Sequence, residues 1–289
     1  MLAILGIVCV FVMVFGGYIL AGGKMAVIIK ALPFELMMIG GAGAGAFMIS
    51  NKGEVAKGAL KGLGGAFGTG KWKAQDYTDL LSLLFGVLKL ARTKGMIAIE
   101  PHIENPKESA IFSQYPRIVG DHFACDFICD TLRMVGMNLE DPNQIKSMMQ
   151  SQLDKHHHEA HGPSHAIHML ADGLPALGIV AAVLGVIKTM GSINEPVEVL
   201  GAMIGGALVG TFLGVFLSYG FAGPLAEKMH QVSEGEHQFY LVIRDVFVSH
   251  LNGNAPQVAI EVGRGNVPTK YQPSFAELEE ILNDVKFEA

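Results

Sequence analysis

No aspartate or glutamate interrupts any of the four longest apolar stretches of this 289-residue chain. Residues 1–22, 36–50 and 199–223 are uncharged, and residues 174–193 carry only Lys188, near their far end. About twenty apolar residues cross a bilayer as a helix, and shorter runs manage it when flanking side chains snorkel. Proton-moving membrane proteins ordinarily bury an Asp, Glu or His, so the carboxylate of an ion-driven machine would have to come from a partner chain. Charged residues make up only 17% of the chain, which excludes a disordered protein, and a net charge of −6 gives no footprint for nucleic acid. Cysteine is scarce. Cys9, Cys125 and Cys129 form no disulfide framework and suit a reducing compartment. No nucleophile–base pair or metal set rises above background, so the chain does not read as an enzyme.

What is present reads as an all-α integral membrane protein with four transmembrane helices and a helical cytoplasmic domain. Residues 1–50 hold two spans and a short periplasmic loop, and residues 51–170 form the cytoplasmic helical domain. Residues 171–224 hold spans three and four, and residues 225–289 form a cytoplasmic helical tail. Residues 1–22 lack a basic leading region and no small-x-small cleavage site follows, so they read as a retained helix. Lys52, Lys57, Lys61, Lys71 and Lys73 follow the second span, whereas the loop after the third carries Glu195 and Glu198. The positive-inside rule therefore places the large insert and both termini in the cytoplasm, against a weaker opposite signal from Lys24 and Lys30.

Leu80, Leu83, Leu84, Val87 and Leu88 recur at helical spacing and end at Gly95. Phe123, Phe127, Ile128, Leu132 and Val135 repeat the pattern, and residues 143–158 form a more polar helix. Residues 225–251 continue as a helix beyond the fourth span. Ser274 and Glu277 form a capping box before a last helix carrying Leu278, Ile281, Leu282 and Val285. Residues 258–262 are the one stretch with a strand-like pattern.

Gly41 and Gly45, and Gly206, Gly210 and Gly214, stand at four-residue steps, a spacing that lets membrane helices approach closely. The partner helix lies within the same subunit or in a neighbour; spacing alone does not distinguish them. Cys125 and Cys129 read as small buried hydrophobes rather than ligands. His156, His157, His158, His161, His165 and His168 cluster before the third span, but Gly162-Pro163 is expected to interrupt the helix. These histidines therefore read as a solvated surface rather than a metal site.

Arg92 and Glu100 flank a glycine break ahead of Ile103-Glu104-Asn105-Pro106. Bare, such a pair is a solvated surface, but the segment resembles the cytoplasmic signature of the MotA family of flagellar stator proteins, within the MotA/TolQ/ExbB superfamily. Phe15-Gly16-Gly17-Tyr18, residues 39–47, 178–186 and 210–214, and the carboxy-terminal run 273–280 are similar to it as well. The resemblance implies a homo-oligomer, a pentameric ring in membrane lipid around the partner MotB, which supplies the proton-accepting Asp and the cell-wall anchor. It implies that Arg92 and Glu100 meet the rotor protein FliG, and that Pro175 and Pro224 couple ion flow to shape change. Ala182, Thr211 and Tyr219 would line the ion path. Ala182 stands where sodium-driven relatives place a threonine, so protons are favoured over sodium, with no cofactor. Plainer readings remain: a proline at a helix start, a Thr211 hydroxyl bonded to its own helix, and an interfacial Tyr219. The alternatives are an ExbB/TolQ-type energiser of outer-membrane processes, against which four spans count, and a self-contained ion channel. That channel would need mid-membrane ligands of its own.

Overall fold

A computed structural model describes residues 2–68, 70–137 and 141–284. Met1 and Val285 lie outside the described residues. The described residues form twelve α-helices and no strand. They are α1 (Leu2–Leu20), α2 (Met25–Ser50), α3 (Gly53–Gly65), α4 (Ala74–Lys94), α5 (Glu100–Glu104) and α6 (Pro116–Val119). There follow α7 (His122–Gly136), α8 (Pro142–Met190), α9 (Val197–Leu217), α10 (Gly223–Leu251), α11 (Pro256–Gly265) and α12 (Phe275–Asp284). Among the described residues four helices are long and apolar enough to cross a membrane: α1, α2, α8 and the run formed by α9 and α10. The chain divides into two compact units, Met1–Thr69 with Ala160–Val232, and Gly70–Glu159 with Ser233–Ala289.

The first unit contains the apolar crossings. α1 buries none of its side chains. Its Phe11 and Phe15 lie edge-on to Phe216 at 5.5 and 5.4 Å, where aromatic quadrupoles attract. Ile39 of α2, Leu174 and Ala181 of α8, and Leu213 of α9 form a small buried cluster. α3 packs through Ala59 with Ile167, Ala226 and Met229, and keeps Lys57 and Lys61 exposed.

The second unit has a large side-chain core. All five leucine and valine residues of the α4 stripe are at most 1% exposed. They pack with Phe127, Ile128 and Leu132 of α7 and Phe239, Val242, Ile243 and Val246 of α10. Trp72 stacks on Phe239 with ring centroids 3.9 Å apart. Helix starts in this unit are satisfied by buried carboxylates. Asp76 accepts from the Lys73 amide at 2.7 Å and pairs with Arg117 at 3.1 Å. Asp121 accepts from the Ala124 amide at 2.6 Å and from the Tyr240 hydroxyl at 3.2 Å, and pairs with Lys71.

Three helix expectations change. The break expected at Gly162-Pro163 does not occur, because α8 runs unbroken for 49 residues with both Pro163 and Pro175 inside it. A proline removes one backbone bond and leaves the flanking turns intact, and Gly58 provides room for the Pro163 ring: a Cβ there would stand 2.9 Å from its Cγ. The strand-like stretch 258–262 is helical, opened by Pro256 and burying Ala259, Ile260 and Gly263 on one face. Beyond the fourth span the chain continues as a helix, as expected. A wide π turn over Ser218–Ala222 passes the chain directly into α10. Finally, α2 starts at Met25 and takes in Lys30, Pro33 and Glu35. The expected capping box forms, with Ser274 N–H donating to Glu277 at 2.8 Å and the Glu277 amide to the Ser274 hydroxyl at 3.3 Å.

Candidate functional site

Arg92 and Glu100 are both exposed, on opposite sides of Gly95, which ends α4 with φ +80°. Arg92 occupies the last turn of α4 and Glu100 the first turn of α5, each where the helix dipole favours its charge. Among the described residues neither takes part in an ion pair. The glutamate four residues on behaves differently. Arg133 donates to Glu104 at 2.9 Å, to Asp130 at 2.7 Å and to the Ile103 carbonyl at 2.9 Å, which ties α5 to α7. The hydrogen bond to Glu104 raises the Arg133 guanidinium above its ordinary range. Ile99 and Ile103 anchor the same segment in the core. Arg92 and Glu100 therefore stand as unengaged charges on a ledge fixed from beneath.

The membrane residues converge on the crossing of α8 and α9. A Cβ on Gly178 would stand 2.7 Å from the Gly210 carbonyl oxygen, and one on Gly214 would stand 2.6 Å from the Leu174 carbonyl oxygen. The glycine steps in α9 thus serve contact within one subunit, at Gly210 and Gly214, while Gly206 turns towards Ala31 of α2. Gly41 and Gly45 have open space where a Cβ would be. Ala182 is half-buried, its amide 3.2 Å from the Cβ position of Gly210, the residue before Thr211. Thr211 is half-buried too. Its hydroxyl makes no hydrogen bond to its own helix, unlike that of Thr189, which donates to the Gly185 carbonyl at 2.9 Å.

Pro175 stands inside α8, one residue after the carbonyl that Gly214 approaches, and leaves the Ala171 carbonyl without its helical partner. Pro224 is the second residue of α10, just past the π turn. Such turns occur frequently at functional sites. Tyr219 lies within that turn and is 73% exposed.

The sequence reading missed Glu35. The reading began the second apolar stretch at Leu36 and left this residue out, but it is the eleventh residue of α2, 5% exposed. The apolar run Met25–Ile29 ahead of it was the available signal, and the Pro33 between them is no obstacle, since membrane helices tolerate proline.

The histidine cluster is not a simple solvated surface. The helix continues through Gly162-Pro163, and its regular spacing turns several rings towards partners. His156 stacks on Phe123 at 3.7 Å, and His157 reaches Glu234 at 3.3 Å. His161 meets His230 of α10 at 2.8 Å, and His168 lies 3.8 Å from Glu227. His158 and His165 are exposed. Cys125 and Cys129 are buried in the second core; the hydrogen bond between them, then burial, holds the Cys129 thiol well above its ordinary range.

Residues 4–95 match the motility protein A N-terminal family and residues 121–240 the MotA/TolQ/ExbB proton channel family. The chain is 42% identical to motility protein A of Salmonella typhimurium, over 99% of this chain and 96% of that one. It is 32% identical to the chemotaxis protein LafT of Vibrio parahaemolyticus, over 96% and 97% of the two chains. The fold matches that in the flagellar MotAB stator complex from Bacillus subtilis with a TM-score of 0.72 at 23% identity, over 96% of this chain and 100% of that one. The C. jejuni MotAB structure gives 0.71 at 20% identity, over 92% and 95%.

Proposed function

The chain belongs to the motility protein A family, and from that membership we propose that it is a ring-forming subunit of a proton-driven flagellar stator. The full-length similarity to motility protein A chains carries the reading. The ring is pentameric, lies in the bacterial inner membrane and surrounds two copies of MotB, whose Asp accepts the proton. The large insert and both termini face the cytoplasm, where the lysines of α3 are exposed.

The geometry supplies a division of labour. α8 and α9 are in backbone contact through Gly178, Gly210 and Gly214, so they move together rather than past one another. Ala182 and Thr211 line the path beside that contact, and Ala182 offers no hydroxyl to a sodium ion. Pro175 and Pro224 both loosen the chain at the Leu174–Gly214 end of the seam, where a change in the packing of MotB converts to a tilt. Arg92 and Glu100 then meet complementary charges on FliG. Exposed charge pairs supply registry and on-rate more than affinity, which suits a contact made and broken at every step.

The test is motility in a strain lacking its own stator ring protein, supplied with this chain and its neighbouring partner gene. Swimming that survives sodium depletion and stops with a protonophore is the expected result. Swimming that requires sodium overturns the role given to Ala182. A complex that assembles without any swimming favours an ExbB/TolQ-type energiser.

A further inference from the structure

The first unit contains a buried carboxyl that the proposed mechanism does not use. Glu35 lies ten residues into α2, about 15 Å along the helix at 1.5 Å per residue. It is 95% buried, and its Oε2 oxygen has no hydrogen-bond partner among the described residues. That oxygen rests on the backbone of α9: a Cβ on Gly210 would stand only 2.6 Å from it. Glycine at this position is what lets a carboxyl lie against the helix beside Thr211.

Glu35 opens into a cavity of about 550 Å³ between the first half of α2, the end of α8 and the start of α9. The cavity lies towards the short loops that join α1 to α2 and α8 to α9, away from α3. Its other charged lining groups are Lys30, from α2 itself, and Lys188 of α8; Thr189 adds a hydroxyl already committed to Gly185. α9 contributes Ala202, Met203, Gly206 and Ala207, none of which titrates. An ionised carboxylate with an unpaired oxygen, buried within a bundle of apolar helices, is costly, and such groups are relieved by a partner, by water or by a proton. One carboxylate beside two lysines is a poor seat for a metal cation, which needs several oxygen ligands. A single small cation that needs one oxygen is the proton.

We propose that Glu35 is a proton-binding residue of this chain, loaded from the cavity and facing the α8–α9 seam. In the loading step an O–H bond of hydronium in the cavity breaks and an O–H bond forms on Glu35, leaving water. In unloading, the carboxyl O–H breaks and the proton passes to water or to an acceptor beside Gly210 and Thr211. Such a proton movement matters to the cell only if the chain conducts protons, so its physiological role rests on the stator reading. Proton binding at Glu35 does not.

The experiment therefore has two arms, both on the full chain with its partner in membranes. In the first, infrared titration of the reconstituted complex follows the protonated-carboxyl band as pH is varied. Glu35→Gln is expected to delete a titrating component, and Glu35→Asp to keep a shifted one. If Glu35→Gln removes no such component, Glu35 stays ionised and the proposal is overturned. The second arm measures proton current and swimming. Glu35→Gln is expected to lower the current about a hundredfold, the lower end of what a positioned acid–base group contributes, at normal membrane levels, with Glu35→Asp restoring part of it. Glu35→Gln current equal to wild type across external pH rejects a place for Glu35 in conduction. A wild-type complex that carries no current refutes the stator reading instead, and the infrared arm still decides protonation.

Discussion

The two units of the molecule are held together by opposite means. In the second, large side chains interlock: Phe127, Phe239, Phe247 and Leu80, Leu83, Leu84 and Leu88 of α4 are almost wholly buried, and Asp76 and Asp121 pin helix starts. In the first, α8 and α9 meet backbone to backbone through glycine, while Ile179, Val183 and Leu208 remain exposed. The contrast follows from solvent. Against water, burying a leucine stabilises by about 1.5–3 kcal/mol, so the second unit hides its apolar residues. Against lipid that gain vanishes, and close van der Waals approach decides which helices touch. An exposed apolar face is a defect in one unit and an ordinary lipid-facing or subunit-facing surface in the other.

The sharpest way to break this comparison is Gly214→Leu. The side chain would enter the space held by the Leu174 carbonyl and Gly178, so no assembled complex should be recovered from membranes, whereas Gly41→Ala, with open space around it, should assemble as wild type. Immunoblots of purified membranes measure both. Next, the Arg92→Glu, Glu100→Lys double variant should leave assembly intact and abolish swimming; normal swimming would remove the rotor role of this ledge. Leu84→Ala empties a fully buried site and should cost about 2–5 kcal/mol, seen as lower thermal stability of the second unit by limited proteolysis of the intact protein. Pro175→Ala restores one helix bond and should lower torque severalfold with normal assembly, measured on tethered cells. Equal torque would dispose of the hinge. Smallest, Tyr240→Phe removes the hydroxyl bonded to Asp121 and should cost about 1 kcal/mol, readable in the same proteolysis assay.

Much of the second unit could be read along the chain. The α4 and α7 stripes recur at helical spacing because water selects which face is buried, and every residue of the α4 stripe is in the core. The Ser274–Glu277 cap was legible for a similar reason, since its partners are three residues apart. Glu35 was not, because the reading ended a membrane helix at an acid, and only its seat on Gly210 explains why an acid is tolerated there. The histidines were misjudged because Gly162-Pro163 was taken as a break. Packing of Gly58 against Pro163 keeps α8 continuous and turns His161 towards His230.

By itself the sequence determined the helical class, the four crossings and the family signatures, all properties of short-range periodicity, composition and local order. Tertiary structure alone decided that Gly210 and Gly214 serve a contact within the subunit, that Glu104 is engaged while Glu100 is not, and that Glu35 opens into a cavity. Each of these depends on which distant backbone comes within a few ångströms, and no spacing along one chain encodes that distance.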